Sequence, residues 1–496
     1  MDLVNIIFGM KVRQARTQTG MTLTEFAERC DLSPSYMTEI EKGRKYPKTD
    51  KIIRMAEALD KSYDELVSIK LDRSLNYLET ALTSPLLKEF PFEAFGLELG
   101  DVVNLLTRAP AKASALLHTM LEIGRQYNLK DEHFLRAALR SYQELHENYF
   151  QELEDAAAAF TEEYDLGGAL PVTLESLERI IRESFGYELD WERLAADERL
   201  ATYRSVLVEG SSRCLLLNSR LYDNQIKFLL AREMGYQYLD LKDRAYTSAP
   251  DAVDSFQQVF NDFKASYFAG AVLMPRSLMI DDIQSLFRLR TWQPDYLPGM
   301  LEKYDVTPEM LLYRFSELIP QFFGIRLHFL RFHSSGRRYR LVKQLNMNRL
   351  LLPSGIALHE HFCRRWLTVR LLRELQATDN REQFKERPHV GAQISEFHET
   401  RDRFLCLGFA RPLVLSPEVD SSVIVGFRVD GDLRRDVRFV EDPALPSVII
   451  NETCERCPLT AEQCTVRAVP PTVLEAEAKR EERREALNLL MAELRE

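Results

Sequence analysis

Three of the seven cysteines, Cys454, Cys457 and Cys464, fall within the eleven residues CERCPLTAEQC. Two residues between the first pair let both thiolates grip one metal ion or one corner of a cluster, and the third follows after a short loop. A fourth ligand must come from elsewhere. Cys363, in HEHFCRRW at a segment edge beside polar residues, is the best candidate. Cys406 in FLCLGF and Cys214 in RCLLLN sit in apolar runs and read as core residues, and Cys30 as a small buried apolar residue. Cysteine-only ligation permits zinc or an iron–sulfur cluster, and the spacing does not choose between them. Arg364, Arg365, Arg456 and Arg467 could offset the charge of either; reduced, metal-free cysteines are the plain alternative.

A second stretch, FLLAREMGYQYLDL (228–241), has the frame of an apolar helix carrying H-E-x-x-H, in which two histidines hold zinc and the glutamate activates water. Here Arg232 and Tyr236 stand at the histidine positions and only Glu233 survives. Arginine cannot deprotonate to bind a cation, and tyrosine is a poor zinc ligand near neutral pH. No histidine occurs between His146 and His328, so zinc hydrolysis is not expected. A fixed guanidinium at a vacated metal site suits an anion instead, since arginine meets phosphate with two-pronged geometry. Tyr203, Arg204, Arg220, Arg232, Tyr236 and Tyr267 are the candidates for such a ligand. The competing reading is that Arg232 pairs with Glu233 or another acid and Tyr236 fills a core gap.

The elements around these sites follow from pattern. The net charge of −11 argues against nucleic acid as a partner, but six basic residues and one acid lie between Lys42 and Arg54. In the segment from Gly9 to Val67, five helices are expected. Thr22 or Thr24 caps one helix, Asp31 takes the left-handed turn, Ser33 caps the next with Pro34 at its first position, and Gly43 ends it. This is a helix-turn-helix, and T-x-x-x-F-A…S-x-S-Y-M-x-x-I-E-K-G resembles the Xre/Cro-like repressors. The resemblance implies that the helix from Ser33 to Lys42 enters a major groove of double-stranded DNA. Ser35, Tyr36, Thr38 and Glu39 are then the candidates for base contact, Lys42, Arg44, Lys45 and Lys48 hold phosphates, and Thr24 and Ser33 complete the DNA-binding set. Met37 and Ile40 belong to the core.

From Asp131 to Tyr164 the apolar residues recur every three or four positions without proline or glycine, which predicts one long helix, packed within the chain or serving as a dimer arm. A helix over TLESLERIIRESFGYEL, two strands joined at Gly210–Ser212, and helices over SRLYDNQIKFLLAREMGYQYL and FNDFKASYFAGAVLMP follow. Beyond 320, FFGIRLHFLRFHSSGRRYRLVKQL, SSVIVGFRV and SVIINET read as strands of a mostly antiparallel sheet. The tail EAEAKREERREALNLLMAELRE reads as a charged helix with Leu487, Leu490, Met491 and Leu494 on one face, packed on the body or on a second copy. No apolar run is long enough to span a membrane, and MDLVNIIFGMKVRQAR does not resemble a signal peptide, so the expected location is cytoplasmic.

The expected class is therefore multidomain α+β. It comprises a helix-turn-helix head (1–70), a helical linker or dimerisation arm (71–170), a degenerate zinc-peptidase-like α+β domain (171–320), an α+β domain with the cysteine cluster (321–475) and a terminal helix (476–496). LLLNSRL, FLLAREMGYQYL and KASYFAGAVLMP resemble the ImmA/IrrE-type metallopeptidase domain. Head, degenerate middle and C-x2-C…C-x2-R-A-x-P-P together resemble the short-chain fatty acyl transcriptional regulators. That resemblance implies a non-enzymatic regulator of propionate or acetate (methylcitrate, glyoxylate) genes. It also implies acyl-CoA as ligand and a 4Fe-4S cluster at Cys363, Cys454, Cys457 and Cys464, with zinc as the alternative. The last cysteine spacing departs from the family, six residues where about four are expected. A homodimer is expected because such heads read paired half-sites. The competing functions are a redox or oxygen sensor whose cluster is the signal, and a DNA-binding metallopeptidase.

Overall fold

The computed structural model describes residues 3–68, 95–96, 131–167, 170–210, 212–248, 253, 255–336, 338–350 and 360–493. Chain contacts divide it into two units, Met1–Ala138 and Leu139–Glu496.

In the first unit, five helices, α1 (Leu3–Gln18), α2 (Leu23–Arg29), α3 (Pro34–Glu41), α4 (Thr49–Ala58) and α5 (Tyr63–Val67), enclose a small core of Phe8, Val12, Phe26, Met37, Ile40, Ile52 and Met55. The local signals act as the residues dictate. Thr22 and Glu25 form a reciprocal capping box at α2. Asp31 takes the turn at φ +53°, Ser33 Oγ accepts the Tyr36 N–H at 3.2 Å, and Gly43 closes the turn after α3 at φ +69°. Two longer-range features fix α3. Arg16 forks onto the buried Glu41 carboxylate at 2.6 and 3.0 Å. Gly9 lets α1 lie against the end of α3, because a Cβ there would come within 2.3 Å of the Ile40 carbonyl.

The long helix expected over 131–164 is broken. α6 (Asp131–Leu145) and α7 (Gln151–Glu163) are separate, with Glu147 and Asn148 left-handed between them at φ +49° and +55°. The break is paid for by burial: the Asn148 amide donates to Ser316 at 3.1 Å and accepts from Gln143 at 3.0 Å. Phe150 meanwhile turns into an aromatic cluster with Tyr142, Phe263 and Tyr267.

Next come α8 (Leu174–Glu183) and a three-stranded sheet, β1 (Tyr187–Asp190), β2 (Ser205–Glu209) and β3 (Arg213–Leu217), in order β1-β3-β2. The helix expected to continue through Leu189 stops early, because Gly186 reverses the chain at φ +70° and β1 begins. α9 (Asp223–Tyr238) and α10 (Phe256–Leu273) then pack closely. A Cβ on Gly235 would meet the Phe268 ring at 2.9 Å and the Ala265 carbonyl at 3.3 Å. α11 (Arg276–Arg288), α12 (Tyr296–Tyr304) and α13 (Pro308–Phe323) lead into a six-stranded sheet.

That sheet runs β5-β4-β8-β7-β6-β9, from β4 (Leu327–Ser335), β5 (Arg338–Asn346), β6 (His389–Phe397), β7 (Arg403–Pro412), β8 (Val419–Arg428) and β9 (Ser447–Ile450); only β6 and β9 pair in parallel. One continuous hydrophobic core joins α9–α13 to the first face of this sheet. α14 (Leu367–Gln376) covers a second core on the other face with Phe332, Trp366 and Phe404. The final helix, α15 (Thr472–Glu493), buries none of its side chains: Leu487, Leu490 and Met491 are exposed, contrary to packing on the body. Leu494 lies outside the described residues.

Candidate ligand cleft, vacated metal site and DNA-reading head

The H-E-x-x-H frame lies on α9 and is nearly closed to water. Arg232 is 3% exposed and forms an ion pair with Asp262 of α10. Tyr236, 1% exposed, hydrogen-bonds the same carboxylate at 3.2 Å. Burial alone would weaken Arg232's hold on its proton, but Asp262, Tyr236 and Glu233 overrule it and keep the guanidinium charged. Glu233, the would-be base, is fully engaged: both oxygens take Arg244, one of them at 2.7 Å, and Tyr187 donates to it at 2.8 Å. Arg244 also lies 4.0 Å over the Tyr236 ring. The site thus offers neither the ligands nor the free carboxylate that zinc hydrolysis requires. Its partner for Arg232 is Asp262, and Tyr236 fills the core, as the competing reading had it.

A larger space opens beside it. A solvent-open cleft of about 220 Å³ lies between α9, α10, the start of α13 and strands β4, β5 and β7. Phe228, Leu229, Met274, Met310 and Phe329 supply apolar wall. Arg204, Arg232, Arg314, Arg331, Lys343 and Arg411 supply positive charge against Glu309 and Glu317. Arg314 is consumed by Glu154 at 2.6 and 2.9 Å and by Glu317 at 2.8 Å. Arg411 and Arg331 share one carboxylate, Glu309, at 2.7 and 3.7 Å. Lys343 stands 3.6 Å over the Tyr313 ring. Arg204 has no hydrogen-bond or ion-pair partner for its guanidinium among the described residues. It is solvent-accessible yet enclosed by the cleft walls. Burial, together with repulsion from Arg331, Arg411 and Arg232, pulls it down to about 10. The segment that bears it is pinned by buried Asn218, whose amide donates to the carbonyls of Ala201 and Tyr203 at 2.9 Å each.

Of the six ligand candidates, Arg204 and Arg232 line the cleft. The other four do not. Tyr267 is buried and gives its hydroxyl to Glu154 at 2.7 Å, which helical spacing on α10 makes an inward position. Tyr236 is committed to Asp262. Arg220 is exposed elsewhere and donates to the Ala195 carbonyl at 3.2 Å. Tyr203 is half-buried beside Arg204 and points no atom into the lining. Glu309, Arg331, Arg411 and Asn218 were missed; only the strand-ending LLLN carried a local signal, for Asn218.

In the head, Ser33, Ser35, Thr24, Arg44, Lys45 and Lys48 are exposed, and Tyr36, Thr38, Glu39 and Lys42 half-buried, all around the α2–α3 surface. Ser33 is a helix cap, and the Thr38 hydroxyl donates to the Pro34 carbonyl at 2.9 Å. Lys51 lies 4.4 Å over the Tyr36 ring, fixing it at the N-terminal end of α3. Met37, Ile40 and Cys30 are core, and burial pushes the Cys30 thiol up to about 11.

Residues 12–66 match the helix-turn-helix family. Over 57 residues the head is 35% identical to control protein C.BamHI of Bacillus amyloliquefaciens, an overlap of 11% of this chain and 70% of that protein. This chain belongs to the helix-turn-helix family. It is a DNA-binding transcriptional regulator. Residues 179–316 match the IrrE N-terminal-like domain, which spans the vacated site and much of the cleft. Among solved structures, a Mycobacterium tuberculosis transcriptional regulator is 18% identical (TM-score 0.46), covering 67% of this chain and 92% of that one. The apo form of ComR from S. thermophilus is 14% identical with a TM-score of 0.13, covering 64% and 92%. Among the described residues no helix is long and apolar enough to cross a membrane.

The cysteine-bearing segment is drawn together at the far edge of the large sheet. A bridge pairs Phe362 with Thr453, Cys363 N–H donates to the Glu452 carbonyl at 3.1 Å, and Cys454 N–H to the His361 carbonyl at 2.8 Å. Alternation across that pairing puts Cys363 and Cys454 on one face. Cys457 packs with Cys464, and Cys363, Cys454, Cys457 and Cys464 are all buried. Burial pushes the Cys363 thiol up to about 12, with Cys454 and Cys457 adding to the rise. Four buried thiols are the donor type that thiolate ligation uses. Among the described residues no three histidine, cysteine or acidic side chains stand together as a metal site.

Proposed function

We propose that this regulator is not an enzyme and senses a short-chain acyl-CoA in the cleft, changing its hold on operator DNA and so the expression of propionate or acetate genes. The observation that carries this reading is the surplus of cations in a solvent-open, partly apolar cleft, with Arg204 unpaired among the described residues. A ligand with several negative charges and an apolar end fits such a wall: its phosphates meet the guanidinium groups, and its acyl chain the Phe228, Met310 and Phe329 side. Ligand binding shifts the regulator between DNA-competent and incompetent states only through different affinity for the two. A homodimer reading paired half-sites is part of the same proposal.

The test is a melting-temperature series with acyl-CoA esters on full-length protein, followed by operator binding with and without the best ester. A ligand of the native state must raise the melting temperature. No rise at saturating ester, or a rise with no change in DNA affinity, defeats the reading. Cys363, Cys454, Cys457 and Cys464 are proposed to hold a 4Fe-4S cluster, or zinc at the same positions. Such a group would tie the Phe362–Thr453 bridge to the 457–464 loop through its thiolates. Iron, sulfide and zinc content of anaerobically purified protein, with loss on Cys457→Ser, decides between the two metals and a metal-free cluster.

A further inference from the structure

The cleft already contains an anion of its own. The Glu309 carboxylate accepts Arg411 Nη2 at 2.7 Å, faces Arg331 Nη2 at 3.7 Å and receives the Ser421 hydroxyl at 3.2 Å. Arg331 Nε in turn donates to Ser421 Oγ at 3.2 Å. Glu309 lies in the first turn of α13, after the Thr307 cap and Pro308, so the helix presents its positive end to the same place. Burial would favour the neutral acid, but Arg411 and Arg331 overrule it and hold Glu309 well below the usual carboxylate range. The arginines thus favour the ionised acid.

One carboxylate faces three guanidinium groups. Arg411 is 6% exposed and its Nε finds no partner, and Arg204 is unpaired among the described residues. We infer that Glu309 is a resident counter-anion that an incoming ligand must displace from Arg331 and Arg411, making the cleft selective for groups with two or more negative charges. This deepens the ligand reading above and rests on it. A singly charged carboxylate gains Arg204 but meets the repulsion of Glu309, and it offers Arg331 and Arg411 nothing better than what they hold. A phosphate-type group with two charges can satisfy Arg204 and take a share of the other two at once. In the empty protein, Glu309 offsets the mutual repulsion of the three arginines.

The test is Glu309→Gln in the full-length chain, which keeps the side-chain length and an accepting oxygen but removes the charge. Inorganic pyrophosphate and propionate serve as probes of high and single charge, measured by calorimetry. The expected result is pyrophosphate binding about tenfold tighter than in the natural chain, or more, with propionate binding now measurable. The ligand-free melting temperature falls and pyrophosphate restores it. Pyrophosphate affinity that is unchanged or weaker in the variant overturns the inference, and if the natural chain still binds pyrophosphate the cleft reading survives. Binding by the variant alone supports the resident anion and removes the sensing role from the natural chain. Binding by neither defeats both. Where Glu309→Gln does not fold, folding recovered by millimolar pyrophosphate supports the proposal, and no recovery overturns it.

Discussion

Two clusters of charge lie side by side in this molecule, and they are built on opposite rules. In the vacated metal site every charge is matched: Arg232 with Asp262, Arg244 with Glu233, and the tyrosines Tyr187 and Tyr236 complete the carboxylates. In the cleft the balance fails by design of the residues present, since Arg204 is left over and two arginines divide Glu309. A matched cluster has nothing to offer a ligand; it fastens helices. An unmatched cluster, reachable from solvent, costs repulsion in the empty state and returns it on binding. On the proposed reading the Arg232 guanidinium is a strut, and anion binding belongs to Arg204, Arg331 and Arg411.

That contrast can be broken most sharply at Arg244. Its replacement by methionine leaves Glu233 buried and uncompensated, and should cost about 3–5 kcal/mol of folding stability in denaturant titration. Replacing Glu233 by leucine at the same time should recover most of the loss. If Arg244→Met instead leaves stability unchanged and abolishes ligand binding, the matched cluster is the binding site after all.

Arg204→Ala should do the reverse. Loss of this cation should weaken acyl-CoA or pyrophosphate binding by about ten- to a hundredfold, while the ligand-free melting temperature holds or rises as repulsion among the arginines is relieved. An equal loss of stability would make Arg204 a strut like Arg232.

A smaller effect is expected from pH. Burial pushes Glu317, which lines the cleft, up to about 7, against the pull of Arg314. An acid with a raised value is neutral below it and charged above it, so the cleft gains a negative charge as pH rises through about 7. Anion affinity should fall a few-fold across that rise. Folding is affected in the same sense: the folded form binds the extra proton, so stability declines between the ordinary carboxylate range and about 7. Glu317→Gln should flatten both profiles, read by calorimetry and by melting temperature.

How much of this the sequence discloses depends on the reach of each contact. The head is legible because its signals are local: a cap at Ser33, a left-handed aspartate at Asp31, glycine at 43. Its longer-range fixtures, Gly9 against Ile40 and Arg16 onto Glu41, leave no mark in the sequence. The peptidase frame leads to Arg204 and Arg232, but Tyr236 and Tyr267 mislead, since a tyrosine's hydroxyl can as easily seek a buried carboxylate as a ligand. Arg331, Arg411 and Glu309 meet only because β4, β7 and α13 converge, which no single segment reveals. The break at Asn148 escapes because an apolar period of three to four continues across it, without proline or glycine to mark a stop. Cys363 and Cys454 lie on the two segments joined by the Phe362–Thr453 bridge, a pairing across about ninety residues that no local pattern announces.

Gly235 carries a last consequence. Because it has no side chain, α9 and α10 touch almost backbone to ring at Phe268, so these two helices are interlocked by shape. Two helices seated in this way hold their registration without any ion between them. Alanine at this one position would act as a wedge and force them apart.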